Sequence, residues 1–180
     1  MRLMPMLATL AAFPLFAVVA RAQTASPTEA AHTHTQFTFA VHAPFEQTAP
    51  LFGANEERKW AADWDPQFIY PQPAHDRQGM VFIVEHPGHS SVWVNTAFDL
   101  AAGHIQYTYV LNDAMATLID IHLKRVGSDQ TEVTVLYERT ALTPDANQHV
   151  EHFAKGDAKA AQEWADAING YFAKLRSGTH

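Results

Sequence analysis

The sequence predicts an α+β domain: a curved antiparallel sheet of about six to seven strands packed against one long C-terminal α-helix, with two short helices after the first strand. Three observations predict it. From Val92 to Ala141 the chain reads as four long strands joined by short turns. Thr143-Pro144-Asp145 then opens an amphipathic helix that runs nearly to the C-terminus. Between the first strand and the others, Pro44, Pro50 and Gly53 limit the chain to short helical pieces.

The first 22 of the 180 residues read as a secretory signal peptide. Met1-Arg2 is a basic start, the apolar run Leu3–Ala20 is broken by Pro5 and Pro14, and Ala20-Arg21-Ala22 is a small-residue cleavage site. The run is too interrupted for the ~20 apolar residues of a spanning helix. A periplasmic or secreted protein, with no stable membrane insertion after cleavage, is the expectation. Residues 23–34, rich in Ala, Thr, Ser and Pro, read as a flexible leader, and residues 35–176 as one domain.

Within that domain Thr35 to His42 alternates, with Phe37, Phe39 and Val41 on one face. Pro44 suits the first turn of a short helix over 45–52, which Gly53 stops. Asn55 is placed to cap a second short helix through Ala62, with Glu56 and Glu57 near its positive end. Phe68-Ile69-Tyr70 reads as an edge strand closed by Pro71-Gln72-Pro73. Strands follow over 80–86, 91–99, 104–112, 116–126 and 131–141, with turns at Pro87-Gly88, Ala102-Gly103, Asn112-Asp113 and Gly127-Ser128-Asp129. Short turns imply antiparallel neighbours. On the last helix Val150, Phe153, Ala160, Ala161, Trp164, Ile168, Phe172 and Leu175 recur near the 3.6 period. Gly156 is its weak point, and Gly178 a stop.

Composition removes several function classes. Cleavage of the signal peptide leaves 158 residues, with 10 Lys and Arg against 19 Asp and Glu. No basic run exceeds two residues, as at Lys124-Arg125, so nucleic acid and anionic membrane surfaces are poor partners. The chain contains no cysteine and so no disulfide. Its 11 histidines invite a metal reading. His149 and His152 are i, i+3 on the last helix, His86 and His89 flank a turn, and His32 and His34 lie in the leader. No HExxH motif is present, and zinc needs three or four converging ligands. The histidines therefore read as scattered surface residues, with no metal and no cofactor.

The order of elements, with three segments, resembles the START-like superfamily (SRPBCC, or helix-grip), of polyketide cyclase/dehydrase and lipid-transfer type. The segments are Phe39-Ala40-Val41-His42-Ala43-Pro44-Phe45, then Arg58-Lys59-Trp60 with Trp64-Asp65-Pro66, then Thr131-Glu132-Val133-Thr134-Val135 ahead of Thr143-Pro144. The resemblance implies that the long helix lies across the sheet and that a cavity between them takes an apolar or amphipathic ligand. It makes Phe98, Tyr107, Tyr109, Ile119, Ile121 and Tyr137 candidate lining residues, with Val133 and Val135 beside them and Trp164 and Ile168 above. The function it implies is an exported protein binding a small hydrophobic molecule or lipid. The alternative is a cyclase or dehydratase acting on aromatic or polyketide-like substrates.

No catalytic set stands out in the sequence. Asp120 and His122 alternate with Ile119, Ile121 and Leu123 and are expected to face solvent. Tyr137 and Arg139 share a strand face, and a structural role is expected for both. Trp60 and Trp64 read either as a plug holding the short helices to the sheet or as the lid of a cavity entrance. No G-x-S-x-G elbow, phosphate loop or dinucleotide fingerprint is present.

Overall fold

Period-2 patterning in seven segments produces one seven-stranded antiparallel sheet in the computed structural model, which describes residues 29–111 and 114–178. The strands are β1 (His32–Val41), β2 (Gln67–Tyr70), β3 (Val81–His86), β4 (His89–Asp99), β5 (His104–Leu111), β6 (Met115–Arg125) and β7 (Thr131–Ala141). Their order across the sheet is β1-β7-β6-β5-β4-β3-β2. The signal peptide, the start of the leader and the Asn112-Asp113 turn lie outside the described residues. Among the described residues no helix is long and apolar enough to cross a membrane.

Two helices complete the fold: α1 (Phe45–Thr48) and α2 (Asn147–Ser177). The expected short helices are tighter and shorter than the sequence suggests. The first is α1 followed by a 3-10 turn, Ala49–Phe52, and the second is a 3-10 turn, Glu56–Lys59. Neither Asn55 nor Thr143 caps with its side chain. The cap of the Glu56–Lys59 turn comes instead from Asp76, whose carboxylate accepts the Asn55 N–H at 2.8 Å and the Glu56 N–H at 3.2 Å.

Side-chain alternation sends one face of the sheet inward. On β5 Ile105, Tyr107, Tyr109 and Leu111 are buried, and on β7 Val133, Val135, Tyr137 and Arg139 are. Each fully buried apolar side chain contributes roughly 1.5–3 kcal/mol. A bulge between Asn95 and Ala97 shifts the register of β4. It puts Asn95 opposite Tyr107 and then Phe98 opposite Ile105, both on the inner face. The turn into β5 requires Gly103, at φ +68°, where a Cβ would lie 2.5 Å from the Leu123 carbonyl oxygen.

β1 begins at His32, three residues earlier than the alternation of aromatic residues suggests. Thr33 and Thr35 carry the same inward parity as Phe37. Helix α2 runs along this strand. Asn147 accepts the Ala31 N–H at 2.7 Å, and Asn169 accepts the His42 N–H at 2.7 Å while donating to the Ala40 carbonyl at 3.0 Å. The 22 residues between the two asparagines span about 33 Å of helix, and the strand from Ala31 to His42 spans about 36 Å. The matched lengths let α2 lie along the whole strand. The helix passes Gly156 without interruption, and the Gly178 N–H closes it on the Leu175 carbonyl at 3.4 Å.

Candidate ligand-binding site

Direct cross-strand pairing sets Tyr107, Ile119 and Tyr137 in one transverse row across β5, β6 and β7. Ile121 lies two positions along β6, on the same face. Above this row the Trp164 indole of α2 meets Phe37, Phe39, Phe52 and Trp60, at ring separations of 5.6–6.4 Å. To one side Phe82, Trp93 and Tyr109 form a stacked ladder, with 5.6 Å between the first two rings and 4.2 Å between the last two. Between these walls lies a cavity of about 180 Å³. It is lined by Tyr107, Ile119, Ile121, Tyr137 and Trp164 from the sheet and α2, and by Phe52, Glu57, Trp64, Phe82 and Trp93 from the rest of the wall.

Five of the eight expected residues therefore line the cavity. Tyr109 lies behind Trp93, Ile168 is fully buried in the core, and Phe98 is half-buried against the core beyond the bulge. Val133 and Val135 are fully buried core residues. Trp60 and Trp64 act as anchors. Their indole N–H groups donate to the carbonyls of Leu51 and Ala54, each at 2.7 Å, and tie the short turns together. Trp64 is at the same time part of the cavity wall, edge-on to Phe82 and Trp93.

Glu57 is the polar group of the wall, which the sequence reading placed only near the positive end of a short helix. Its 3-10 turn explains the difference. At three residues per turn Ala54, Glu57 and Trp60 share one side, and Ala54 is fully buried. Glu56, Arg58 and Lys59 take the other directions, and Lys59 pairs with Glu56. Glu57 keeps some accessible surface, and the carboxyl lines the cavity. Desolvation there, with the nearby Asp76 carboxylate, pushes its pKa up to about 8. At neutral pH Glu57 is mainly a neutral acid, able to donate one hydrogen bond.

The remaining polar groups are phenols. Tyr107 donates to the Phe52 carbonyl at 2.8 Å, so its hydroxyl is committed to holding the wall. Burial holds both phenols protonated, Tyr137 well above the usual range with the nearby Tyr109 adding to the effect. The site therefore offers aromatic faces, one neutral carboxyl and a phenol.

Arg139 takes the structural role that the sequence suggested. It is buried and paired with Asp157 of α2. Asp120 and His122 lie on the opposite, outer face of the sheet, as their alternation requires.

No family model and no curated protein matches this sequence. Solved structures do match. Norcoclaurine synthase from Thalictrum flavum, in complex with dopamine and hydroxybenzaldehyde, is 16% identical, with a TM-score of 0.58 over 81% of this chain and 88% of its own. A point mutant of that enzyme with a transition-state analogue gives a TM-score of 0.62 at 14% identity, over 82% and 98% of the two chains. A START superfamily protein from Mycobacterium smegmatis gives 0.59 at 16% identity, over 81% and 99%. In its seven-stranded antiparallel sheet, its short helical segment after β1 and its long C-terminal helix, this chain shares the helix-grip fold of these solved structures.

Proposed function

We propose that this chain is an exported binding protein for a small, largely apolar molecule with one polar end, held between the sheet and α2. The aromatic-walled cavity with Glu57 in its wall carries this reading. A cavity of about 180 Å³ suits a single aromatic ring, since one of roughly 150 Å³ takes benzene. Burying about 200 Å² of ligand surface contributes roughly 5 kcal/mol before the costs of association, which points to modest affinities. The norcoclaurine synthase structure with dopamine and hydroxybenzaldehyde, both single-ring molecules with polar ends, supports this size class. The small-residue cleavage site at Ala20-Arg21-Ala22 supports export.

The test is titration of the purified mature chain with phenols and aromatic aldehydes or amines, followed by tryptophan fluorescence, with native mass spectrometry for material carried through purification. Saturable quenching that is lost on filling the cavity by Ile119→Phe supports the reading. Quenching that is absent, or equal in that variant, removes it. Co-purified long-chain lipid would instead require the cavity to open well beyond its present volume.

Glu57 favours a second reading, an acid/base enzyme of the cyclase or dehydratase type. A carboxyl with a pKa near 8 is poised to exchange a proton at neutral pH. Turnover of a bound ring compound that Glu57→Gln abolishes while binding persists would establish it. Equal conversion by that variant would exclude Glu57 as the acid or base.

A further inference from the structure

The outer face of the sheet carries a second arrangement of chemistry-bearing side chains, remote from the cavity. His104 of β5 and His122 of β6 are direct cross-strand partners, and Asp120 lies two residues before His122 on the same face. The two imidazoles stack in parallel, 4.7 Å apart with 4° between their planes. Both turn Nε2 toward the one carboxylate. His104 Nε2 lies 2.7 Å from Asp120 Oδ1, and His122 Nε2 lies 3.1 Å from Oδ2. The three donor groups lie within 4.8 Å of one another.

We propose that His104, Asp120 and His122 form a binding site for a borderline divalent transition-metal ion of the zinc, copper(II) or nickel(II) class. Two imidazoles and one carboxylate are the donor set these ions prefer. Donors at 2.0–2.2 Å from a tetrahedral ion stand roughly 3.3 Å apart, so small rotations of the two rings suffice. Metal entry displaces the contacts to Asp120 and leaves each ring proton on Nδ1.

Two further observations separate this cluster from a chance surface grouping. β5 is the central strand of the sheet and β6 its neighbour, so the ligands stand on strands paired on both sides rather than on loops. The carboxylate is also oriented from behind. Gln106 donates to Asp120 Oδ1 at 3.2 Å, and the Gln106 amide oxygen accepts from the Thr96 hydroxyl at 2.9 Å. A supporting chain of this kind fixes a ligating carboxylate in place. Side-chain exposures of 34% for His104, 19% for Asp120 and 58% for His122 leave the site open to solvent on one side. A fourth position is thus available to water or an outside ligand.

The experiment uses the mature chain, stripped with chelator and titrated with zinc chloride by calorimetry, with copper(II) followed by electron paramagnetic resonance. The expected result is one tight equivalent, with nitrogen hyperfine structure in the copper spectrum. His104→Gln with His122→Gln should abolish that equivalent, and Gln106→Ala should weaken it about 10–100-fold. His149→Gln with His152→Gln, on the exposed face of α2, should leave it unchanged. Circular dichroism reports whether each variant is folded. Asp120→Asn, which removes the ligating charge, should also lose the equivalent and provides a second route should the histidine variants unfold. Binding that survives in the His104/His122 variant, or follows His149 and His152 instead, overturns the proposal. So does a hydrogen-bonded cluster that takes up no metal at micromolar concentration.

Discussion

Arg139 on β7 and Asp157 on α2 form a two-pronged ion pair, with Nη1 2.5 Å from Oδ2 and Nη2 2.8 Å from Oδ1. Their side chains are 4% and 9% exposed. The Thr35 hydroxyl donates to the same carboxylate, and the guanidinium lies 4.3 Å from the Tyr137 ring centre. This pair fixes the long helix over the strand that carries Tyr137. Removing one partner strands the other charge, so Asp157→Asn or Arg139→Met should cost about 3–5 kcal/mol. The double change Arg139→Met with Asp157→Leu should recover most of that loss, because neither charge remains to be desolvated. Urea unfolding of the four proteins measures both effects. A single-variant cost near zero would mean that the pair does not hold the helix.

Glu57 predicts a pH dependence with a definite sign. Its proton is held more tightly in the folded chain, where the pKa is about 8, than in the unfolded chain, near 4.3. The associated stability is complete below about pH 4.3 and is lost as pH rises toward 8, at up to about 1.4 kcal/mol per pH unit. Glu57→Gln removes that loss. Denaturation of both proteins at pH 5, 7 and 9 should show the variant gaining on the wild type across this range. Parallel pH profiles would place the carboxyl in water.

Gly53 tests how Glu57 is positioned. A Cβ at residue 53 would lie 2.3 Å from an oxygen of the Asp76 side chain, the side chain that caps the Glu56–Lys59 turn. Gly53→Ala should destabilise the fold by roughly 1–3 kcal/mol. By displacing Asp76 it should also weaken ligand binding more than a remote change of equal stability cost. Asp76→Asn keeps an acceptor for one of the two backbone N–H groups and lifts the charge, so the Glu57 pKa should fall part of the way, with the desolvation that dominates it remaining. Carbon-13 NMR titration of the Glu57 carboxyl reads this directly.

Trp164 is the ceiling of the cavity. Trp164→Ala removes contacts with four aromatic rings and should cost about 3–5 kcal/mol. The same change enlarges the cavity, so two-ring probes rejected by the wild type should bind. Melting temperature and probe titration together check the pair of outcomes. A variant with the expected stability loss and no change in ligand size would place the ligand elsewhere.

The sheet and α2 were legible because their periods are strong: two in the strands, near 3.6 in the helix. That Tyr107, Ile119 and Tyr137 face inward follows from that alternation, while their alignment in one row comes from the pairing of β5, β6 and β7. The opposite wall was not legible in the same way. Glu57 sits in a 3-10 turn, where a three-residue period joins it to Ala54 and Trp60, and no apolar periodicity marks so short a segment. Phe82 and Trp93 depend on pairing register, which short strands do not announce. The cap of the Glu56–Lys59 turn comes from Asp76, 20 residues away from Glu56, so no local motif marks it. His104 likewise becomes a neighbour of Asp120 only through strand pairing.

The two asparagines that tether α2 have a consequence beyond the helix itself. Asn169 takes the carbonyl of Ala40 and the N–H of His42, the groups that an incoming strand would seek. β1 is an outer strand of the sheet, while the other margin is the four-residue β2, bounded by Pro66 and Pro71. Such margins are templates for chain-to-chain polymerisation unless they are shielded. Helix α2 thus guards against self-assembly while it roofs the cavity. A ligand admitted by lifting the helix would bare the strand at the same moment, so loading by that route carries an aggregation hazard.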